Sequence, residues 1–145
     1  MRLSVLGTDA DELVLERARQ ARYKAGSLRE LPPSWRQSVF EQSGAELLVR
    51  QELRGAAEFL RQDLRAQAPE GCFDLVLCRN LAFTYFDEPV QQRVLCAIEA
   101  HTSPGAALVV GSHETLPAGH DQWAAWDRCP EVFCRSSPPC RSGAS

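Results

Sequence analysis

The sequence predicts an α/β fold with a mostly parallel sheet, and three observations lead to this prediction. Residues 72–78 are almost continuously apolar, which is typical of a strand covered on both faces in a parallel sheet. Residues 88–101 follow with apolar side chains at helical spacing, and residues 106–111 form a second apolar run. Near the N-terminus, residues 3–8 form an apolar run that precedes another helical pattern. Strands that alternate with helices at these lengths favour a layered α/β architecture.

The first strand is expected at residues 3–8 and the first helix at residues 10–22. The apolar side chains of this helix recur at intervals of three and four, and charged side chains occupy the other positions of each turn. Asp9 is positioned to serve as the N-cap of the helix, because its side chain can accept a hydrogen bond from the first turn. The acidic residues that follow it complement the positive end of the helix dipole.

The middle of the chain is less regular. Residues 23–31 lack a pattern and are expected to form a loop, and the two prolines that follow mark the start of a short helix at 34–40. Residues 45–50 are expected to form a short strand. Residues 51–67 fit a helix about as well as a strand, and the pattern leaves both open.

The second half has clearer boundaries. A Pro-Glu-Gly break at residues 69–71 precedes the apolar strand at 72–78, and Pro104–Gly105 separates the helix at 88–101 from the strand at 106–111. Beyond this point Trp123, Trp126 and Val132–Phe133 suggest a final helix and an edge strand. Residues 136–145 are rich in Ser, Pro and Gly and are expected to form a disordered tail. Residues 1–135 then form the folded part.

The composition excludes several classes of protein. A length of 145 residues, with 44% hydrophobic and 24% charged residues, fits one globular domain. The net charge of −3, without a long run of either sign, argues against a nucleic-acid-binding or anionic-membrane surface. No apolar run approaches the roughly 18 residues that cross a bilayer, and the N-terminus turns acidic before a secretory segment forms. We therefore expect a cytoplasmic protein without membrane insertion.

The six cysteines do not form the spacing of a structural zinc site. None of them belongs to a C-x-x-C pair, and no metal site is predicted. Cys78 and Cys96 lie in apolar segments, where a buried and reduced thiol packs as a small hydrophobic side chain. One alternative is a metal held by three cysteines near the C-terminus together with His120, namely Cys129, Cys134 and Cys140.

Polar residues follow three of the predicted strands, where open α/β sheets bind their ligands. Asp9 follows the first strand, Asp63 follows the segment around Phe59, and Arg79–Asn80 follow the strand at 72–78. An acidic residue at such a position can accept hydrogen bonds from both hydroxyls of a ribose. For Asp9 alone, the spacing favours the simpler role of a helix N-cap.

In order and spacing, the sequence resembles the CheR-type methyltransferases, which use S-adenosylmethionine. The resemblance covers roughly residues 3–117 and is most specific from Phe73 to Asn80, with the Tyr85-Phe86-Asp87 run and Gln91-Gln92 that follow. Further matches are Gly7 to Asp11, Ala18-Arg19, Tyr23, Leu31-Pro32, Trp35, Phe40, Asp63-Leu64, Pro104-Gly105 and Gly111 to Leu116. The resemblance implies a class I, Rossmann-like methyltransferase fold.

By this resemblance, Asp9 holds the ribose of the cofactor, and Asp63 and Leu64 flank its adenine. Arg79 and Asn80 line the pocket beneath the sulfonium, and Tyr85 lies near the transferred methyl group. Tyr85 and Arg79 are thus the expected catalytic residues. The alternatives are a surface ion pair for Arg79, a turn residue for Asn80 and an aromatic core residue for Tyr85.

The best-known members of this family methylate glutamate side chains of chemotaxis receptors, so the resemblance implies a protein substrate. A glutamate carboxylate is ionised near neutral pH. Methyl transfer to it depends mainly on proximity, alignment and desolvation rather than on an acid or base. His113 is a candidate general base, but the favoured interpretation is a variant residue of this loop.

Several family features have no counterpart in this sequence. These are the first strand with its Gly-rich loop, the N-terminal helical domain, and the small inserted β-subdomain of receptor-binding members. The run from Asn80 to Tyr85 is also one residue longer than in the family. We expect an N-terminally truncated domain with two unpaired apolar strand edges. We also expect weak or no binding of S-adenosylmethionine by this chain alone, and a complementing N-terminal segment as a partner.

Two other functions remain open from the sequence. One is a non-catalytic remnant or interaction module that keeps the sheet but lacks the chemistry. The other is a different nucleotide-binding α/β domain, which would prefer ATP or a dinucleotide to S-adenosylhomocysteine.

Overall fold

The computed structural model describes residues 3–136. The chain divides into two compact units, which meet in sequence between Asp63 and Leu64. Nearly all of the predicted tail, residues 137–145, lies outside the described residues. Ser136, the first residue of that tail, is described, and its N–H donates to the carbonyl of Gln122 at 2.7 Å.

The first unit begins with a parallel pair of strands separated by a helix. Strand β1 (Val5–Asp9) leads into helix α1 (Glu12–Gln20), and β1 pairs in parallel with strand β5 (Ala57–Arg61). Gly7 faces the ring of Phe59, and a Cβ at position 7 would lie 2.8 Å from that ring. The pair therefore requires glycine at this point of the strand.

Helix α1 starts two residues later than predicted, and Asp9 is not its N-cap. Asp11 caps the helix instead, since its side chain accepts from the N–H of Leu13 at 2.8 Å. Asp9 bends the chain before the cap, because its Oδ1 accepts from the N–H of Asp11 at 2.8 Å. The N-cap assigned from the spacing was wrong because two aspartates compete for the position, and the structure uses the second.

A small antiparallel sheet is inserted between α1 and β5. Its strands are β2 (Arg22–Lys24), β3 (Phe40–Ser43) and β4 (Glu46–Val49), in the order β2-β4-β3. The expectation that no small β-subdomain is present was wrong. Its strands are only three or four residues long, and Leu47 in β4 is their one buried residue, so they carry little periodic signal.

The connections of this sheet follow the predictions in part. Helix α2 (Pro33–Val39) and strand β4 confirm the predicted helix and strand. The predicted loop at 23–31 contains β2 and a single 3-10 turn at Ala25–Leu28. The ambiguous segment is both helix and strand, since the short helix α3 (Gln51–Arg54) is followed by β5.

The second unit is a four-stranded mixed sheet with one long helix. Strand β6 (Phe73–Leu77) pairs in parallel with β7 (Thr102–Val109) across the short helix α4 (Ala82–Tyr85) and helix α5 (Glu88–Ala100). The sheet continues with two antiparallel strands in the order β6-β7-β9-β8, where β8 is Trp123–Trp126 and β9 is Cys129–Arg135. The final helix expected near the two tryptophans was wrong, because this segment pairs with β9 as a strand.

The prediction of an α/β fold with parallel strands is confirmed, but the sheets are more antiparallel than expected. Among residues 3–136, two strand pairings are parallel and four are antiparallel. In the same residues β1 pairs only with β5, and β6 pairs only with β7. Each of these strands leaves one edge unpaired, as predicted from the sequence.

One face of the second sheet carries the hydrophobic core. Apolar side chains of β7 and α5 pack with Phe83, Trp123 and Phe133, and Leu95, Leu108, Val94 and Val110 are the largest side chains that are fully buried. Cys78 lies in this core as a free thiol, as predicted, and burial raises its pKa. Cys96 is exposed, so its predicted burial was wrong: helix α5 turns this position away from the core.

Candidate functional site

Asp9 and Asp63 lie at the same edge of the β1–β5 pair. Asp9 is the last residue of β1, and its carbonyl accepts from the N–H of Gln62, directly after β5, at 2.9 Å. Asp63 is the next residue along the chain, and both aspartates are half-buried. The parallel pairing therefore places two aspartates that are 54 positions apart in the sequence at the same edge of the strand pair.

Leu64 is the first residue of the second unit. It is half-buried and packs against the core cluster of that unit. Its side chain thus has a structural role in addition to the predicted contact with a ligand.

Arg79 and Asn80 follow β6 at its carboxyl end. Both side chains are exposed, and Arg79 forms no ion pair with any described residue. The ion-pair alternative for Arg79 therefore finds no partner in residues 3–136. Asn80 has a φ of 53°, a left-handed conformation that Asn tolerates better than most residues, so Asn80 is a turn residue as well as a candidate ligand.

The loop after β6 is organised by a carboxylate that the sequence analysis did not assign to the site. Glu114 is buried, with 7% of its surface exposed. Its Oε2 accepts from the N–H groups of Asn80 at 2.7 Å and Gly111 at 2.6 Å. Its Oε1 accepts from the N–H of Leu81 at 3.2 Å and the hydroxyl of Thr84 at 2.7 Å.

The ionisation of Glu114 follows from these contacts. Burial acts to raise the pKa of Glu114, but the hydroxyl of Thr84 and the three N–H groups together stabilise the anion. The pKa therefore lies below its ordinary value of 4.5. Glu114 is a carboxylate near neutral pH, and it links the ends of β6 and β7.

Tyr85 points away from the core. It is the last residue of α4 and is 75% exposed, whereas Phe83, two residues earlier, is 6% exposed. Phe86 packs against the core. The alternative that Tyr85 is an aromatic core residue is therefore wrong, and its phenol is free to meet a ligand.

Two of the residues considered for a metal, Cys129 and His120, have other partners. The thiol of Cys129 donates to the carboxylate of Glu131 at 3.4 Å. His120 Nδ1 lies 2.8 Å from the carbonyl oxygen of Pro117. Cys140 lies outside the described residues. Among residues 3–136, no group of three or more His, Cys, Asp or Glu side chains is arranged to hold a metal ion.

His113 is exposed and lies in the loop beside Glu114. It takes no part in the hydrogen bonds that Glu114 accepts. Within the described residues, no helix is long and apolar enough to cross a membrane.

Comparison with known proteins places these residues in a family. Residues 1–132 match the family model described as CheR methyltransferase, SAM binding domain. This match runs through both units of the chain.

Individual relatives agree with the family model. The chain is 35% identical over 118 residues to a chemotaxis protein methyltransferase of Klebsiella aerogenes, covering 77% of this chain and 40% of the relative. It is 33% identical over 121 residues to the Escherichia coli protein of the same name, covering 79% and 42%. For the Vibrio parahaemolyticus protein the identity is 30% over 124 residues, covering 83% and 45%. The matched region spans less than half the length of each of these relatives.

Proposed function

The chain belongs to the CheR methyltransferase family, and on that premise we propose that it binds S-adenosylmethionine and takes part in methyl transfer to a carboxylate of a protein. One observation carries the proposal: Asp9 ends β1 and Asp63 lies two residues past β5, so both are at the carboxyl edge of a parallel strand pair. This edge is where α/β sheets bind nucleotide-like ligands.

Each aspartate has a distinct role in this proposal. Asp9 accepts hydrogen bonds from the two ribose hydroxyls, which matches the two oxygens of a carboxylate. Asp63 accepts from the adenine edge, and Leu64 covers the adenine face. The half-buried state of all three side chains supports these roles, because partial burial strengthens a hydrogen bond without removing the group from a ligand.

Arg79, Asn80 and Tyr85 act at the reacting end of the cofactor. S-adenosylmethionine supplies a methyl group activated by the sulfonium. Arg79 and Asn80 hold that end of the molecule in place, and the exposed phenol of Tyr85 orients the carboxylate that receives the methyl group. No side chain of this chain has to move a proton, because the acceptor is already an anion and needs only alignment and exclusion of water.

The proposal extends to the fold of the chain, the methyl acceptor, the cellular compartment and a further strand. Each unit contains a parallel pair with a helix between its strands, which supports a Rossmann-like fold. The family model matches residues 1–132, which supports a partial methyltransferase domain at residues 1–135. The acceptor is a glutamate side chain of a protein, by analogy with the family. The protein acts in the cytoplasm, and a further strand pairs along the unpaired edge of β6.

The proposal is tested by titrating S-adenosylhomocysteine, the stable demethylated product, into isotopically labelled chain and following the amide signals by NMR. We expect saturable shifts near Asp9 and Asp63, and about tenfold weaker binding for Asp9→Ala, since a hydrogen bond to a charged group contributes roughly 1.5–3 kcal/mol. Asp74→Ala is the matched control, because Asp74 is an exposed residue near the amino end of β6.

Two outcomes contradict the proposal. The first is the absence of saturable shifts in a chain whose spectrum shows it to be folded, which would favour the non-catalytic module. The second is preferential binding of ATP, which would favour a different nucleotide-binding domain.

A further inference from the structure

Glu114 is one of two polar or charged residues that are buried among the described residues, the other being Thr102. Removing a carboxylate from water is costly unless hydrogen bonds replace its hydration. The four donors around Glu114 supply that replacement, two for each oxygen. Each of the four donors is needed, because the loss of any one leaves part of a buried carboxylate without a hydrogen bond.

The donors come from three separate pieces of the fold. Asn80 and Leu81 belong to the loop after β6, Thr84 belongs to α4, and Gly111 follows β7. Glu114 also closes a turn on its own loop, since its N–H donates to the carbonyl of Gly111 at 3.0 Å. One carboxylate thereby fixes the carboxyl ends of two adjacent parallel strands.

The backbone that Glu114 holds is an unfavourable one. Asn80 has a φ of 53°, in the left-handed region that non-glycine residues seldom adopt. Non-glycine residues adopt such conformations only when their surroundings impose them. Two successive N–H groups that converge on one anion form the concave arrangement that binds anions in other loops, and here Glu114 is the bound anion.

The packing around Gly111 adds a second constraint. A Cβ on residue 111 would overlap Asn80 Oδ1 and would lie 2.9 Å from Glu114 Oε2. The absence of a side chain at Gly111 lets both groups approach the backbone. Two contacts thus position Asn80. Its N–H donates to Glu114, and its side-chain oxygen lies against the backbone of Gly111.

We propose that Glu114 is a positioning residue for the cofactor pocket, which holds the loop of residues 79–85 in the conformation that presents Arg79, Asn80 and Tyr85 to the ligand. This inference rests on the proposed function, in which those three residues meet the reacting end of S-adenosylmethionine. Glu114 itself makes no contact with the ligand in this role. Its effect passes through the backbone of Asn80 and Leu81 and through the hydroxyl of Thr84.

The test uses three variants of the full chain. Glu114→Gln keeps the size of the side chain but replaces an acceptor oxygen with an amino group that cannot accept. Thr84→Val removes one donor and leaves the carboxylate, so it perturbs the loop less and keeps the test valid if Glu114→Gln does not fold. Glu99→Gln is the matched control, because Glu99 lies in the same unit and its carboxylate accepts one hydrogen bond, from Trp123 Nε1 at 3.1 Å, which the amide oxygen can still accept.

Two measurements are made on each variant. The first is amide hydrogen exchange at Asn80, Leu81 and Gly111 without ligand, which we expect to be faster in Glu114→Gln by at least about tenfold, since hydrogen bonds to a charged acceptor contribute roughly 1.5–3 kcal/mol. The core amides at Leu95 and Leu108 are the internal reference. Equal acceleration at the reference amides indicates general destabilisation and overturns the positioning role.

The second measurement is the affinity for S-adenosylhomocysteine. We expect about tenfold weaker binding for Glu114→Gln, a smaller loss for Thr84→Val, and no change for Glu99→Gln. Unchanged exchange and unchanged affinity in both Glu114→Gln and Thr84→Val would overturn the inference. If the unaltered chain does not bind the ligand, the proposed function fails, whereas the exchange at Asn80, Leu81 and Gly111 still decides whether Glu114 fixes the loop.

Discussion

The side-chain oxygen of Asn80 occupies the space beside Gly111 that a methyl group at position 111 would need. Asn80 follows β6 and Gly111 follows β7, so the contact joins the carboxyl ends of two paired strands. Both residues also donate an N–H to the same oxygen of Glu114. The geometry of the loop therefore depends on the absence of a side chain at position 111.

Replacing Gly111 with alanine is expected to destabilise the chain by about 1–3 kcal/mol, the usual cost of inserting a methyl group into a packed site. The added Cβ must displace the side chain of Asn80 and approach Glu114 Oε2. The free energy of unfolding is measured by urea titration with circular dichroism. Gly26→Ala is the control, since nothing lies within 4 Å of a Cβ there. An equal effect of both substitutions would contradict the assigned contact.

Lowering the pH is expected to destabilise the second unit through Glu114. The pKa of this carboxyl is held below 4.5 in the folded state, so the folded state favours its ionised form. The resulting stabilisation is present above the unfolded pKa and is lost as the pH falls through the lower folded pKa. We expect the unfolding free energy of the unaltered chain to decrease below about pH 4.5.

The contribution of Glu114 is isolated by comparison with Glu114→Gln, which does not titrate. The difference in unfolding free energy between the two proteins is measured by urea titration at several pH values. It should be constant near neutral pH and should shrink in acid. A difference that is independent of pH down to acid unfolding would show that the charge of Glu114 does not stabilise the fold.

Tyr85 and Phe83 are expected to respond oppositely to truncation, although they are two residues apart in α4. Tyr85 is 75% exposed, so Tyr85→Ala should change the unfolding free energy by no more than about 0.5 kcal/mol. Phe83 is in the core, and Phe83→Ala should cost about 3–5 kcal/mol. Thermal unfolding of both variants checks this. A large loss for Tyr85→Ala would assign it a packing role and remove it from the ligand site.

The sequence predicted the strongly apolar elements well and the short or irregular ones poorly. The expectation that β6 is covered on both faces was wrong, because Leu75 and Leu77 are exposed. Strand β6 and helix α5 were found close to their observed bounds, because their apolar side chains are continuous or periodic. Strand β7 was expected to begin only after Pro104–Gly105, because these residues usually interrupt a strand. The structure accommodates them in β7 where its register with β6 shifts between Phe73 and Leu75.

The candidate site could be proposed from the sequence only where its side chains lie at or just after the ends of predicted strands. Asp9, Asp63 and Asn80 satisfy this condition and could be proposed from the sequence. Glu114 does not, because three of its four hydrogen-bond donors are backbone N–H groups. Every residue except proline carries such a group, so no residue type marks the partner of a buried carboxylate in a sequence.

The unpaired edge of β6 leads to a prediction about association. Leu75 and Leu77 lie on the same face of this strand and are 56% and 67% exposed. Among residues 3–136, β6 has no partner on the side away from β7. An exposed strand edge beside apolar side chains is a template for pairing with another chain, so we expect the chain to associate as its concentration rises.

Sedimentation velocity over a range of concentrations measures this association, and Leu77→Lys should shift the distribution toward the monomer, because a charge on the strand opposes edge-to-edge pairing. Leu13→Lys is the matched control, since Leu13 is 73% exposed on helix α1 in the first unit. A similar shift in both variants would trace the association to net charge rather than to β6. A monomer at all concentrations would contradict the prediction, and would require the edge of β6 to be protected by something other than a paired strand.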